Sequence, residues 1–221
     1  MQINNVIIMC GGTYHKFKKH KALTEINGEV LVERTIRLLK ENGITNWYIS
    51  TNNPDFEKYD ERGNIIHHVN NFEVLEDGSV KGYWLDAYYI MDEPTIYLHG
   101  DVYYSEDAIK KILSYKPKMN TFIGNEIARN PQHLNWGEPF GWIVVEPERF
   151  KDDIDITKKL QDDGKLERGY ALSWELYRVM NGYDPNYMLI NDDNYLSIND
   201  ETIDVDEPYQ IEEVNKRISN L

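Results

Sequence analysis

The sequence predicts an α/β fold whose central sheet is mainly parallel. Two observations carry this prediction. Short apolar runs of strand type alternate with amphipathic helical segments along most of the chain, and residues 5–51 alone already read as strand, loop, helix, strand. Because parallel neighbours need a crossover connection, usually a helix, this alternation favours a parallel sheet covered by helices.

The length and charge of the chain limit its class. Its 221 residues suffice for a substantial core, and no linker, repeat or low-complexity tract divides it, so we expect one domain over residues 1–221. The formal net charge of −14 argues against a nucleic acid partner. No signal peptide is visible, and no apolar run approaches the roughly 20 residues of a membrane span. We expect a cytoplasmic protein without membrane contact, with a homo-oligomer possible.

The first half of the chain predicts its elements in a regular order. A continuous apolar run too short for a helix indicates a buried strand at 5–10, and a short extended piece turns at Asn27-Gly28. Helical spacing of apolar residues that stops at Asn42-Gly43 predicts a helix at 30–42. The remaining predictions are strands at 46–51, 64–69 and 95–99, a short helix or loop at 54–61, and helices at 82–92 and 105–115, the last capped by Ser105.

The second half is less regular. Strands are predicted at 121–124, 141–145, 195–198 and 203–206, and helices at 154–163, 171–181 and from Pro208 to about 218. Residues 125–195 show little periodicity at first and contain many Asn, Pro, Trp and Gly residues. We expect this irregular insert to contribute substrate specificity.

A glycine turn with lysines follows the first strand. Gly11-Gly12 ends the apolar run, and Lys16 and Lys21 lie in the basic loop that follows. Small residues let backbone N–H groups approach an anion and lysines neutralise it, so the pattern is typical of a phosphate site. An ordinary tight turn with solvated lysines explains the local pattern equally well. The single cysteine, Cys10, excludes an internal disulfide and is expected to be a buried small residue.

Acidic residues follow two later strands. Asp101 comes directly after the strand at 95–99, and Asp204 and Asp206 precede the closing helix. In open parallel sheets, ligands bind beyond the carboxyl ends of the strands. Each aspartate alone is most simply a solvated loop carboxylate. Together with the glycine turn, however, they predict a site for a nucleoside triphosphate and Mg²⁺, because Mg²⁺ binds carboxylate and phosphate oxygens.

Three motifs in this order resemble those of one superfamily. They are Cys10-Gly11-Gly12 with Lys16-Phe17 and Lys21-Ala22-Leu23, then His99-Gly100-Asp101, then Asp204-Val205-Asp206 before Glu207-Pro208. The chain resembles the nucleotidyltransferases of the GT-A type, which include sugar-phosphate nucleotidylyltransferases and cytidylyltransferases. It departs from their pattern at four positions, Tyr14, Lys16, His20 and Glu207. The resemblance implies a three-layer α/β/α sandwich with a mixed, mainly parallel sheet.

The resemblance also implies residue roles. Lys21 would stabilise charge on the attacked α-phosphate, Lys16 would bind the departing phosphates, and Asp101 and Asp206 would hold Mg²⁺, with Asp204 as the alternative second ligand. The implied nucleotide-binding residues are Met9, Cys10, Gly11, Gly12, Thr13, Lys16, Lys21 and Asp101. Residues 81–87 would lie where relatives contact the base, with Trp84 expected to serve packing. The partners would be a nucleoside triphosphate, preferably CTP, and a small phosphorylated acceptor.

Several observations leave alternatives open. The stretch 136–142 combines aromatic residues with Glu138 and could hold a sugar ring or a cationic head group, or be a packed loop. Asp192-Asp193 is expected to be a solvated turn, and His67-His68 on a strand would point to opposite faces and so would not chelate one ion. A glycosyltransferase that uses a nucleotide sugar, or a non-catalytic nucleotide-binding protein, are the competing functions.

Overall fold

The computed structural model describes residues 3–12, 17, 19–68, 72–75, 77–129, 137–187 and 189–218. Its helices are α1 (Leu31–Glu41), α2 (Glu106–Ser114), α3 (Pro147–Asp162), α4 (Ser173–Met180) and α5 (Pro208–Ile218). Its strands are β1 (Asn5–Cys10), β2 (Glu25–Ile26), β3 (Glu29–Val30), β4 (Asn46–Thr51), β5 (Ile65–His67), β6 (Glu73–Val74), β7 (Val80–Lys81), β8 (Thr95–His99), β9 (Val102–Tyr103), β10 (Thr121–Asn125), β11 (Pro139–Val144), β12 (Tyr195–Ile198) and β13 (Ile203–Asp204).

Seven strands form the central sheet, in the order β12-β10-β11-β8-β1-β4-β5. β1 runs parallel to β4 and β8, β4 runs parallel to β5, and β10 runs parallel to β12. Only β11 is antiparallel to its neighbours, β8 and β10. The predicted mixed, mainly parallel α/β sheet is therefore confirmed.

Apolar side chains cover both faces of this sheet, which gives three layers. β1 shows why: its side chains alternate between faces, so Val6 and Ile8 join one core cluster while Ile7 and Met9 join the other. The first cluster packs α1 and α2 against the sheet, and the second packs α3 and α4. A strand buried on both faces reads as a continuous apolar run, as β1 does.

The carboxyl ends of β1 and β8 meet closely at one edge of the sheet. The Gly100 N–H donates to the Met9 carbonyl at 2.9 Å. A Cβ atom on Gly100 would lie 2.5 Å from Cys10 Sγ and 2.7 Å from the Met9 oxygen, so only glycine fits there. This contact places Asp101 directly beside the glycine turn of β1.

Two predicted helices differ from the observed ones. The prediction of a helix at 82–92 is wrong, because the segment forms only one 3₁₀ turn, Trp84–Ala87. The segment is held against α3 instead, where Tyr83 donates to Asp162 and Lys158 pairs with Asp86. The helix predicted at 154–163 begins earlier, at Pro147, a residue that suits a first helical turn.

Within the described residues, no helix combines the length and the apolar composition that crossing a bilayer would require.

Candidate active site

The glycine turn leaves β1 at the carboxyl edge of the sheet. The Gly12 N–H donates to Asn52 Oδ1 at 3.3 Å, and Gly12 has φ +88°, a conformation that favours glycine. Thr51 Oγ1 donates to the Cys10 carbonyl at 2.8 Å. Cys10 itself is fully buried and burial raises the pKa of its thiol, so it is a structural residue rather than a nucleophile.

His20 joins this turn to the segment that carries Lys21. The Ala22 N–H donates to His20 Nδ1 at 3.2 Å, which caps the 3₁₀ turn Lys21–Leu23. Because Nδ1 accepts, Nε2 carries the proton and donates to the Gly11 carbonyl at 3.2 Å. Burial lowers the pKa of His20, which favours this neutral form. The histidine found in place of the family's proline thus ties the two halves of the loop together.

If the turn binds a nucleotide, as the resemblance implies, we expect His20→Ala to weaken that binding more than it slows turnover. Removal of both hydrogen bonds should cost about 1–2 kcal/mol of stability and loosen Gly11 and Lys21 together. KM for the nucleotide should rise several-fold while kcat changes little, as measured by steady-state kinetics. His20→Asn, which can cap Ala22 but is too short to reach Gly11, should recover stability without recovering KM. A KM equal to wild type in His20→Ala would contradict this role.

Lys21 is the centre of the ion pairs at this edge. Its Nζ lies 2.5 Å from Asp101 Oδ2 and 2.9 Å from Asp206 Oδ1. The Lys21 side chain is only 15% exposed, compared with 60% for Asp206. Burial opposes the charge of Lys21, but Asp101, Asp204 and Asp206 outweigh it and raise the pKa of the ammonium above that of an ordinary lysine. The lysine is therefore fully charged at neutral pH.

The two later aspartates reach this position through backbone pairing. β13 is antiparallel to β9, with Asp204 opposite Val102. The Val205 N–H donates to the Asp101 carbonyl at 3.1 Å. Beyond the strand, Gln210 Oε1 accepts from the Asp206 and Glu207 N–H groups at 2.7 and 2.6 Å, which fixes the start of α5. Two segments that are distant in sequence thus present their carboxylates at one place.

Asp101 and Asp204 differ in their electrostatics. Burial disfavours the charge of both, but Lys21 outweighs it at Asp101 and holds the pKa of that carboxyl below its usual value. Burial, together with the negative charges of Asp101 and Asp206, raises the pKa of Asp204 well above the usual range. Asp204 Oδ1 is buried and has no hydrogen-bond partner among the described residues. This buried oxygen would be stabilised by a bound cation or by protonation of the carboxylate.

Asp101, Asp204 and Asp206, hereafter the acidic cluster, fit a divalent cation. Each offers a carboxylate oxygen, and these atoms lie within 4.8 Å of one another. Oxygen ligands suit a hard cation such as Mg²⁺, and the orphaned Asp204 oxygen would gain a partner from it. The structure brings together all three predicted metal-site aspartates and Lys21. Of the other predicted site residues, Thr13 and Lys16 lie outside the described residues.

The stretch 136–142, which the sequence analysis considered as an acceptor site, is partly buried in the core of the structure. Phe140 and Trp142 are fully buried, one in each core cluster, so their rings cannot hold a ligand, and Trp136 lies outside the described residues. Glu138 instead accepts from the Asp204 N–H at 3.2 Å. Sequence reasoning did not foresee this fourth carboxylate next to the acidic cluster. The signal that could have indicated it is the position of Glu138 directly before an apolar strand.

Three minor predictions concern side chains outside the acidic cluster. The rings of Trp84 and His99 contact each other edge to face at 5.8 Å, and Trp84 packs against the second core cluster, as expected. Asp192 and Asp193 lie in a 3₁₀ turn capped by Asn191, as a solvated turn requires. His67 is exposed and lies 3.4 Å from Glu57.

Comparison with known proteins gives a family match over the first part of the chain. A family model described as the MobA-like NTP transferase domain matches residues 6–114, just under half of the chain. This range contains the glycine turn, Lys21 and Asp101. A search of curated proteins finds no match.

Three solved structures share the fold at low identity. One is a protein assigned as a glucose-1-phosphate thymidylyltransferase from Bacillus anthracis (12% identity, TM-score 0.60, 98% of this chain and 96% of that chain). Another is the inositol-1-phosphate CTP transferase from T. maritima (12%, 0.58, 99% and 97%). A third is the CTP:phosphocholine cytidylyltransferase from Streptococcus pneumoniae (14%, 0.54, 97% and 98%). Both comparisons agree with the resemblance found in the motifs: the family model that matches residues 6–114 describes an NTP transferase domain, and the three structures, which share the fold of this chain, are named as nucleotidyl- or cytidylyltransferases.

Proposed function

We propose that the protein transfers a nucleoside monophosphate from an NTP to a sugar phosphate or small alcohol phosphate and releases pyrophosphate. The observation that carries the proposal is the placement of Lys21 between Asp101 and Asp206, next to the turn Gly11-Gly12. The neighbours named above act on phosphorylated acceptors, and two of the three use CTP. We therefore favour CTP as the donor. As the setting we propose precursor synthesis for a cell-surface polysaccharide in the cytoplasm.

In this reaction a phosphate oxygen of the acceptor attacks the α-phosphorus of the NTP. A new P–O bond forms while the bond from the α-phosphorus to the bridging oxygen breaks, and its electron pair leaves with pyrophosphate. No protein nucleophile is needed, so the protein acts by positioning and by offsetting charge. Lys21 would stabilise the negative charge on the α-phosphate, and Lys16 would bind the departing phosphates.

The acidic cluster would hold Mg²⁺, with Asp101 and Asp206 as the main ligands and Asp204 as the alternative. When bound, the metal offsets the negative charge of the phosphates. The insert at 125–195 would contribute the acceptor site. Glu138, which belongs to this insert, lies beside Asp204 and supports this assignment.

The test is pyrophosphate release from each of the four NTPs with Mg²⁺ and a panel of glucose 1-phosphate, inositol 1-phosphate and phosphocholine. We expect release that depends on both substrates, is highest with CTP and stops with EDTA. Hydrolysis of a nucleotide sugar without pyrophosphate release from any NTP would show a glycosyltransferase instead. Binding of an NTP without turnover on a wide acceptor panel would favour the non-catalytic alternative.

A further inference from the structure

The imidazole of His68 lies against the glycine turn. His68 follows β5, and its N–H donates to the Thr51 carbonyl at 3.3 Å, so β5 continues beside β4 to the carboxyl edge. A Cβ atom built on Gly11 would lie 2.7 Å from Cε1 and 2.8 Å from Nε2 of His68. The ring therefore contacts the Gly11 backbone directly, and Gly11 leaves the space that it needs.

Both ring nitrogens of His68 are buried, and within the described residues neither makes a hydrogen bond of normal geometry, although the Ser50 backbone interacts with the ring. Buried polar groups are nearly always paired, and leaving one unpaired is destabilising. Burial lowers the pKa of His68, so the ring is neutral near pH 7 and presents one donor and one acceptor. Its neighbour His67 has the opposite character, exposed and close to Glu57.

The order of strands indicates which part of a nucleotide would meet this ring. Along the carboxyl edge, Asp101 follows β8, the glycine turn follows β1, Asn52 follows β4 and His68 follows β5. Phosphates bound between the acidic cluster and the glycine turn occupy the β8 and β1 positions. On the β11 side, Glu138 places a further carboxylate against Asp204. The rest of the nucleotide therefore has its space on the β4 and β5 side, beyond Gly11.

We propose that His68 hydrogen-bonds the base of the bound NTP and is a determinant of which base the protein accepts. The inference rests on the proposed function and deepens it. The ring nitrogens, which make no hydrogen bond of normal geometry within the described residues, gain one from the base edge, and a site built around such a bond discriminates against a base that cannot make it. Gly11 permits this position of the His68 ring because it has no side chain that would occupy the same space.

The test compares His68→Phe, which keeps a ring without nitrogen, with His68→Gln, which keeps a donor and an acceptor. Calorimetry would measure the affinity of each NTP and of tripolyphosphate, which has phosphates but no base. We expect His68→Phe to weaken binding of the preferred NTP about tenfold, the equivalent of about 1.4 kcal/mol. The same variant should reduce the differences in affinity among the four NTPs. Tripolyphosphate affinity should stay unchanged, and His68→Gln should recover part of the NTP affinity.

His67→Ala is the matched control, because it removes the adjacent imidazole and should leave every affinity at the wild-type value. An equal loss of NTP and tripolyphosphate affinity in His68→Phe would show that His68 only supports the loop. Unchanged NTP affinities and ranking would also overturn the inference while leaving the proposed function intact. A wild-type protein that binds no NTP would instead overturn the proposed function, so the two failures are distinguishable.

Discussion

Lys21→Ala is expected to lower kcat for pyrophosphate release about 10²- to 10³-fold, the usual loss when one preorganised charge is removed from a transition state. In the structure, Lys21 is the cation that contacts both Asp101 and Asp206. Its removal takes away the charge that would face the α-phosphate. It also leaves Asp101 without its ammonium partner, so the free energy of unfolding should fall by about 1–3 kcal/mol.

Lys19→Ala provides the comparison for this variant. Lys19 lies two positions before Lys21 in the same basic loop and is exposed, so it carries equal charge without the ion pairs. We expect the kcat of Lys19→Ala to remain within about twofold of wild type and its melting temperature within about a degree or two. Effects of this size are usual for a surface substitution. Wild-type turnover in Lys21→Ala would remove Lys21 from the mechanism. Lys21→Arg should stay folded but recover little rate, because a planar guanidinium does not replace a compact ammonium.

Asp101→Asn is expected to have the second large effect, a loss of about 10²-fold in turnover at a fixed Mg²⁺ concentration. An amide keeps the size of the side chain but removes the negative charge that lies 2.5 Å from Lys21 and within 4.8 Å of the other two aspartates. The Mg²⁺ concentration for half-maximal activity should rise as well, because one ligand has lost its charge. A metal titration of the initial rate measures both effects.

Asp192→Asn is the matched control for the metal titration. It makes the same chemical change in an exposed turn away from the acidic cluster and should leave the titration curve unchanged. A second readout does not depend on turnover: Mg²⁺ or Mn²⁺ should raise the melting temperature of the wild type by mass action and should do so less in Asp101→Asn. An equal thermal shift in the two proteins would rule out Asp101 as a ligand.

Local sequence patterns predicted those features that depend on local physics. A fully buried strand must be apolar on both faces, so β1 was visible, and the glycine turn and Asp101 were identified because they follow such strands. Asn42-Gly43 marked the end of α1 for the same reason, since a glycine with positive φ readily ends a helix. The mainly parallel character of the sheet followed from the alternation of these elements, whereas the number and order of its seven strands are known only from the structure.

Features that depend on distant contacts were not predictable from local patterns. Nothing in the residues of β11 shows that it runs antiparallel, because its direction follows from the path of the chain around it. Trp84, Leu85 and Tyr88 have helical spacing, yet their segment is held by side chains of α3. The hydrogen bond that joins His20 Nε2 to the Gly11 carbonyl depends on a fold of the loop that no local motif encodes.

The pairing of β13 with β9 has a consequence for how the protein is made. This short ladder, which joins residues about a hundred positions apart, helps to bring Asp204 and Asp206 to Asp101. Closing so long a loop carries an entropic cost before its contacts offset it. On the ribosome, the strands that bear the glycine turn and Asp101 emerge well before their acidic partners. A nascent chain can thus form most of the central sheet while the acidic cluster is still incomplete, so any cation binding by this cluster would report a late stage of folding.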